Sequence, residues 1–402
     1  MKEPETVASG IEAAALALQQ GKLVGFPTET VYGLGANALD AEAVKRIFQA
    51  KGRPADNPLI VHVAEPEDLK PLVSAIPSRL PELAARFWPG PLTVIMPRSS
   101  LVPEVTSAGL PTVAIRIPNH PVTLALLRQA KLPVAGPSAN RSGRPSPTTA
   151  DHVLADLAGE VAVVLDAGPC RIGVESTVLD LTAPVPTVLR PGGVGLEELK
   201  EVLGTVELHP AALALRRARP ETAGSGSDGE EAEKDEPVKS PGMKYTHYAP
   251  MAPMYLFEEG NKEGHPEVIW EFMRRWIESR AGLPACPPGQ AWQIGLGGRI
   301  GLLISREGYD WLAKAGISEK DARIFFFILG TREHPETIAR NLFTGLRAMD
   351  EAGVSLILAE GIPASGVGLA VMNRLRRAAG GNIIKAGEEL GQEHVHIYGQ
   401  EG

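Results

Sequence analysis

Leu23-Val24-Gly25-Phe26-Pro27-Thr28-Glu29-Thr30-Val31-Tyr32-Gly33-Leu34-Gly35 sets a short apolar run against a polar, hydroxyl-rich turn. The first four residues read as a buried strand, and Pro27, which has no N–H for a ladder, ends it where the polar run begins. Binding groups therefore stand at a strand's carboxyl end, the usual ligand edge of an open α/β sheet. Lys51-Gly52-Arg53-Pro54 and Pro137-Ser138-Ala139-Asn140 extend the pattern, placing cations and small hydroxyls on tight turns beside apolar segments. Together the three segments suit a nucleotide pocket.

Outward from this core the chain alternates. Residues 11–20 are alanine-rich with helical apolar spacing, and Gly21 stops them. Asp40 reads as the N-cap of a helix that runs through Ala50 and delivers Lys51 at its end. Strands are predicted at 59–63, 92–96, 113–117, 134–136, 161–165, 176–181 and 187–190, with helices at 121–129 and 149–157. Strands that follow one another without a helix, near 92–117 and 161–190, predict a mixed sheet.

From about Pro220 to Ser240 the composition changes to a linker, in which Gly224-Ser225-Gly226-Ser227 precedes six acids and one lysine between Asp228 and Glu236. Self-repelling charge and low hydrophobicity prevent that stretch from forming a core. Beyond it, buried strands are expected at 254–257, 300–304, 324–329, 355–359 and 382–385, with helices at about 266–280, 307–315, 335–352 and 368–379 between most of them. That order predicts a second, parallel α/β unit.

At 402 residues the chain suits two domains, and 44% hydrophobic with 22% charged residues is the balance of an ordinary soluble protein. A net charge of −8 argues against a protein that coats nucleic acid through its overall field, though a local basic groove survives such an average. Cys170 and Cys286 match no metal spacing and read as reduced thiols. The acidic amino terminus lacks the apolar core of a secretory signal, and no run approaches the ~20 apolar residues of a membrane span, so a cytoplasmic protein without membrane attachment is expected.

The chemistry-bearing residues each carry two readings. Lys51 and Arg53, separated by one glycine, can face a single polyanion, with Arg53 offering a planar fork for phosphate oxygens; equally, they suit a solvated helix end, where the dipole favours cations. Ser138 and Asn140 can bind phosphate, metal or a base edge, or serve as turn residues. Arg190, before Pro191-Gly192-Gly193, is a third cation at a strand terminus, or half of a surface salt bridge. His62 and Arg116 sit in otherwise apolar strands near Thr112 and Glu175-Ser176-Thr177, and could hold a small zwitterion, Arg116 taking its carboxylate. A histidine so placed can also be a satisfied core residue. The Gly295–Gly301 run does not satisfy GxGxxG, so no dinucleotide is inferred there.

These segments resemble the YrdC-type domain of threonylcarbamoyl-adenylate synthases. The resemblance runs from about Gly10 to Leu203 and includes Pro27–Leu34, Lys51 and Arg53, Phe87-Trp88-Pro89-Gly90-Pro91-Leu92-Thr93, Ser138 and Asn140, Ser176-Thr177-Val178 and Leu189-Arg190-Pro191-Gly192. The second half is similar to the extra domain of long, two-domain members, especially at Ala359-Glu360 and Gly368–Leu375. The fold implied is α/β: a YrdC-like twisted mixed sheet with helices, plus a smaller Rossmann-like parallel α/β C-terminal domain. Boundaries of 1–205 for the first domain, 206–252 for the linker and 253–402 for the second domain follow.

The resemblance implies synthesis of threonylcarbamoyl-AMP and pyrophosphate from L-threonine, bicarbonate or CO2 and ATP, with Mg²⁺ assisting, for a tRNA threonylcarbamoyl transferase machinery; direct tRNA binding by this chain stays open. It implies that Thr30, His62, Arg116 and Ser176 contact threonine. Arg53, Asn57, Thr112, Ser138, Asn140, Thr148 and Arg190 are implied at ATP, with Lys51 and Arg53 as the catalytic cations and no assigned metal ligand. The Lys244–Pro250 stretch matches the pocket-crossing linker of long members, so His247 and Tyr248 are expected to cover the nucleotide, with Tyr245 beside them; the acidic stretch from Gly224 to Glu236 departs from the family pattern. Two other classes fit the sequence less well. An RNA-binding module lacks its basic, aromatic-interleaved stretch here, and a carbamoyl-adenylate-forming maturase lacks its zinc-finger and acyl-phosphatase segments.

Overall fold

The computed structural model describes residues 4–213, 248–260, 265–281 and 298–386. Ten strands form the first sheet: β1 (Val24–Phe26), β2 (Gly33–Asn37), β3 (Ile60–His62), β4 (Leu92–Pro97), β5 (Thr112–Arg116), β6 (Val134–Ala135), β7 (Val163–Val164), β8 (Thr177–Asp180), β9 (Thr187–Arg190) and β10 (Glu207–Leu208). Their order is β10-β9-β8-β4-β5-β3-β6-β2-β1-β7. Parallel pairs such as β3 with β5 and β4 with β8 alternate with antiparallel ones such as β4 with β5 and β8 with β9, so the sheet is mixed, as expected.

Two strands carry no reading in the sequence, the two-residue edge strand β10 and β2. β2 falls inside the glycine-rich turn, where Gly33 and Gly35 argue against a strand by propensity. Packing explains them: a Cβ at Gly33 would stand 2.4 Å from the Phe26 ring, and one at Gly35 would stand 2.9 Å from Val134. Only glycine lets β2 cross the Phe26 ring on its neighbour, β1. The helix Leu80–Phe87 was missed for a related reason. Pro81 reads as a breaker but occupies the first turn, where a missing N–H costs nothing, and Leu80, Leu83 and Phe87 then bury one face.

Local signals place the cationic turn. Asp40 caps the helix Ala41–Lys51 by accepting from the amides of Glu42 and Ala43 at 2.9 and 3.2 Å. Gly52, with φ of 60°, ends it in the left-handed conformation and turns Arg53 away from the helix axis.

The second sheet comprises β11 (Met254–Glu259), β12 (Ile300–Ser305), β13 (Ile324–Gly330), β14 (Leu356–Glu360) and β15 (Ile383–Ala386), ordered β13-β12-β14-β11-β15. Every pairing among these strands is parallel, the arrangement that helical crossovers require. At its carboxyl edge, the N-terminus of helix Arg306–Lys314 is already engaged: the Ser305 amide donates to Glu360 at 2.7 Å, and Arg332 binds Glu360 and Glu259 at 2.7 and 2.9 Å.

Helices Pro335–Glu351 and Val367–Ala378 lie between the two sheets' cores. Val31, Val174 and Tyr248 join Phe343, Leu346 and Val371 in one buried apolar cluster. Contact is close enough that a Cβ on Gly173, whose φ is +82°, would meet Arg340 Cα at 2.4 Å. Arg347 forms a buried ion pair with Asp156 at 2.8 Å and also donates to the Pro145 carbonyl at 2.6 Å. Residues 214–247, which include the acidic stretch, Tyr245 and His247, lie outside the described residues. No described helix is long and apolar enough to cross a membrane.

Candidate active site

A cleft opens where the β1–β2 turn, the Ser138 loop, the ends of β3, β5 and β9, and Tyr248 converge. Four arginines line it, Arg53, Arg116, Arg144 and Arg190, against one carboxylate, Glu175. That excess suits a ligand with several negative charges.

The Pro27–Tyr32 turn is built by one hydroxyl. Thr28 Oγ1 accepts from the amides of Thr30 and Val31 at 3.1 and 3.2 Å, and lies 2.7 Å from Thr30 Oγ1. Thr30 Oγ1 in turn accepts from Arg116 Nη1 at 2.9 Å. The guanidinium is fixed on two further sides, by the Gly90 carbonyl at 3.1 Å from Nε and by Glu29 at 2.7 Å from Nη2. Among the described residues only Nε and one N–H of Nη1 are spent on hydrogen bonds, the Glu29 contact being an ion pair without one, so Nη1 and Nη2 keep N–H groups for a carboxylate ligand. Beside it, His62 is buried edge-on to the Phe26 ring, with centroids 5.4 Å apart. Burial first and Arg116 second hold its pKa down at about 3, so the ring is neutral near pH 7 and can accept a hydrogen bond.

On the other side Arg190, at the end of β9, donates through Nε and Nη2 to the Ser176 carbonyl at 3.2 and 2.9 Å, and through Nη2 to Ser176 Oγ at 3.2 Å. Ser176 Oγ also lies 2.7 Å from Thr93 Oγ1. Burial lowers the Arg190 pKa to about 10, which leaves it a cation at neutral pH. Asn140 points Nδ2 at the carbonyls of Arg141 and Arg144, both at 2.8 Å, while its buried Oδ1 meets no hydrogen-bond partner among the described residues. Tyr248, with φ of 69°, closes the cleft from the side of the second sheet, its ring 5.1 Å from that of Phe343.

Thr30, His62, Arg116, Ser176, Arg53, Ser138, Asn140, Arg190 and Tyr248 thus come together around one cleft. Lys51, Asn57, Thr112 and Thr148 do not line it. The Lys51 ammonium is buried behind the wall, donating to the carbonyls of Ser138 and Asn140, the latter at 2.6 Å. Burial, then Arg53, push its pKa well below the usual lysine range. Thr148 Oγ1 faces Thr344 at 3.0 Å on the helix Pro335–Glu351. Thr112 is half-buried at the start of β5, opposite Pro97. Asn57 is fully buried just outside the cleft, its amide unpartnered among the described residues, and its carbonyl accepts from Arg53 at 3.4 Å. His247 lies outside the described residues.

Sequence reading assigned no role to Glu29, Arg144 and Glu175. Glu29 carried a usable signal, since an acid buried beside apolar strands needs a counter-ion and Arg116 sits in just such a strand. Arg144 carried none. Among the described residues no group of three His, Cys, Asp or Glu is placed to hold a metal ion. Glu175 is engaged at both oxygens, by Ser146 at 2.6 Å and Arg374 at 3.0 Å. A magnesium ion brought in on a polyphosphate would take most of its ligands from substrate oxygens and water, and Asn140 Oδ1, which has no hydrogen-bond partner among the described residues, could accept from such a water.

Fold and cleft define a two-sheet α/β protein with an arginine-rich pocket at the first sheet, closed by Tyr248. A family model described as "Telomere recombination" matches residues 16–192, and one described as "Threonylcarbamoyl-AMP synthase, C-terminal domain" matches residues 194–380. The threonylcarbamoyl-AMP synthase of Pyrococcus abyssi is 46% identical over 375 residues, covering 93% of this chain and 95% of the relative. That of Bacillus subtilis is 45% identical over 377 residues, covering 93% and 94%. The crystal structure of P. abyssi Sua5 complexed with L-threonine superposes with a TM-score of 0.76 at 46% identity, covering 94% of this chain and 96% of that one. The chain belongs to the threonylcarbamoyl-AMP synthase family, in its two-domain form.

Proposed function

We propose that the chain converts L-threonine, bicarbonate or CO2 and ATP into threonylcarbamoyl-AMP and pyrophosphate, with residues 1–205 as the catalytic domain, 206–252 as linker and 253–402 as companion domain. The observation that carries this reading is the make-up of the cleft. It brings an arginine fork, a hydroxyl and a neutral imidazole, groups matched to an amino acid, together with Arg53, Arg190, Ser138 and Asn140, groups matched to a triphosphate. The relative crystallised with L-threonine supports the first of these two sets.

In this reading Arg116 takes the threonine carboxylate, with Thr30, His62 and Ser176 around the amine and hydroxyl. The neutral amine adds to the carbon of CO2 and loses a proton, giving a carbamate. A carbamate oxygen then attacks the α-phosphorus of ATP, and the bond to the β-phosphate bridging oxygen breaks as pyrophosphate leaves. No enzyme nucleophile is required; alignment of two anions and neutralisation of their charge supply the catalysis. Arg53 and Arg190 neutralise the phosphates. Lys51 acts from behind, its ammonium holding the Ser138 and Asn140 carbonyls so that the loop keeps its shape. Asn57 backs Arg53 through its main-chain carbonyl, whereas Thr112 and Thr148 lie outside the cleft and take no part in this reading; Mg²⁺ enters with ATP and screens its charge. Tyr248, with His247 before it, covers the nucleotide and keeps water from a labile mixed anhydride.

Such an anhydride does not survive long in water, so the product passes to a tRNA threonylcarbamoyl transferase machinery, and the ATP requirement fits a cytoplasmic location. Pyrophosphate release is expected only when threonine, bicarbonate and ATP are all present, measured with each omitted in turn. ADP as the only nucleotide product, or release without threonine, would overturn the reading.

A further inference from the structure

The helix Val367–Ala378 belongs to the second unit, yet its Arg374, fully buried, reaches out of that unit into the wall of the cleft. Nε donates to Glu175 Oε2 at 3.0 Å, Nη2 lies 3.0 Å from the same oxygen, and Nη1 donates to the Pro191 carbonyl. The guanidinium also stands 5.9 Å from the centre of the Tyr248 ring, within range of a cation–π contact. Its two anchor residues are chain neighbours of the hydrogen-bonded pair Ser176 and Arg190: Glu175 precedes Ser176, and Pro191 follows Arg190. Glu175 is the sole carboxylate lining the cleft, and Ser146 Oγ holds its other oxygen at 2.6 Å.

We infer that Arg374 is a positioning residue for the substrate cleft: by taking up the charge of Glu175 and fixing the Pro191 turn, it keeps that carboxylate from neutralising Arg190. The second unit thereby sets the anion affinity of the first. Electrostatics agree with this division of partners. Burial alone would push the Glu175 pKa up, but Arg374 first and Arg190 second, with the Ser146 hydrogen bond, hold it at about 2. With Arg374 gone, Arg190 is the largest remaining cationic influence on Glu175, and a guanidinium paired to a carboxylate has less charge to offer a triphosphate.

The inference rests on the reading of the cleft as an ATP and threonine site. Its test compares full-length wild type, R374M and R374M/E175Q in steady-state pyrophosphate release. Loss of one charge-assisted grip corresponds to roughly a 10- to 100-fold rise in KM for ATP in R374M, with kcat altered by less than about threefold because no reacting atom is touched. Removing the stranded charge in R374M/E175Q should recover most of that rise in KM; a purely structural defect relieved by the same change would instead have lowered the active fraction, and so kcat, with KM for ATP unmoved. A KM in R374M within about twofold of wild type, or a double variant no better than R374M, would overturn the inference. Should R374M be insoluble, R374Q, which keeps hydrogen-bond donors but not the charge, is read by the same criterion against R374Q/E175Q. An inactive wild-type chain would count against the proposed reaction alone; calorimetric Mg-ATP binding to the same proteins then decides, a weakened Kd in R374M restored by E175Q upholding the positioning role and equal Kd values refuting it.

Discussion

Arg190→Ala is expected to lower kcat/KM for ATP by roughly 100-fold or more, since two charge-assisted hydrogen bonds at about 1.5–3 kcal/mol each disappear with the cation. The side chain is buried, and the Ser176 carbonyl accepts from it twice, so no neighbouring water readily takes its place. Loss of Arg190 also leaves Ser176 Oγ with Thr93 as its side-chain partner, which loosens the hydroxyl at the junction of the two substrates. Initial rates at varied ATP with saturating threonine and bicarbonate check this. A change smaller than about fivefold, little more than 1 kcal/mol, would show that Arg190 is part of the scaffold and not of the phosphate site.

Arg116→Ala should show the opposite selectivity and a larger cost in stability. Arg116 and Glu29 form an ion pair whose side chains are only 4% and 1% exposed, so deleting the cation strands a carboxylate in the core. Breaking such a pair from one side costs about 3–5 kcal/mol. Thr30 Oγ1 and the Gly90 carbonyl lose a donor at the same time. The expected result is a marked drop in the urea midpoint together with a threonine KM raised far more than the ATP KM. Arg116→Ala/Glu29→Gln should regain stability without regaining threonine use, because the stranded charge is gone but the fork is still missing. Equal effects on both substrates, or full recovery of threonine KM in the double variant, would contradict the assignment of Arg116 to the amino acid.

Most strands and helices of both units were legible where an apolar run or a helical stripe ended in a strong stop, although the helix Leu196–Leu203, closed by Gly204, went unpredicted. Asp40 and Gly52 bracket the helix that delivers Lys51, and Thr187–Arg190 is the strand the sequence predicts. Reading failed at Gly33–Asn37, where glycine is demanded by a ring on the neighbouring strand and not by a turn. The cleft's lining was legible in outline because its residues sit in short polar breaks between strands. Lys51 shows the limit of that inference: a cation in such a break can face inward, and this one serves backbone carbonyls. Least legible was the docking of the second unit. Arg347 meets Asp156, Thr344 meets Thr148 and Arg374 meets Glu175 across separations of 191, 196 and 199 residues, and no local pattern encodes which buried arginine finds which acid.

The central claim is that one cleft joins a carbamate of threonine to the α-phosphorus of ATP. Its most direct test is mass spectrometry of the nucleotide products after incubation of the full chain with L-threonine, Mg-ATP and 13C-labelled bicarbonate. The account predicts an adenylate whose mass equals AMP joined to threonine through one labelled carbonyl, formed in step with pyrophosphate. Threonyl-AMP without the labelled carbon, or AMP and pyrophosphate with no threonine-containing adenylate even at the earliest times, would contradict it.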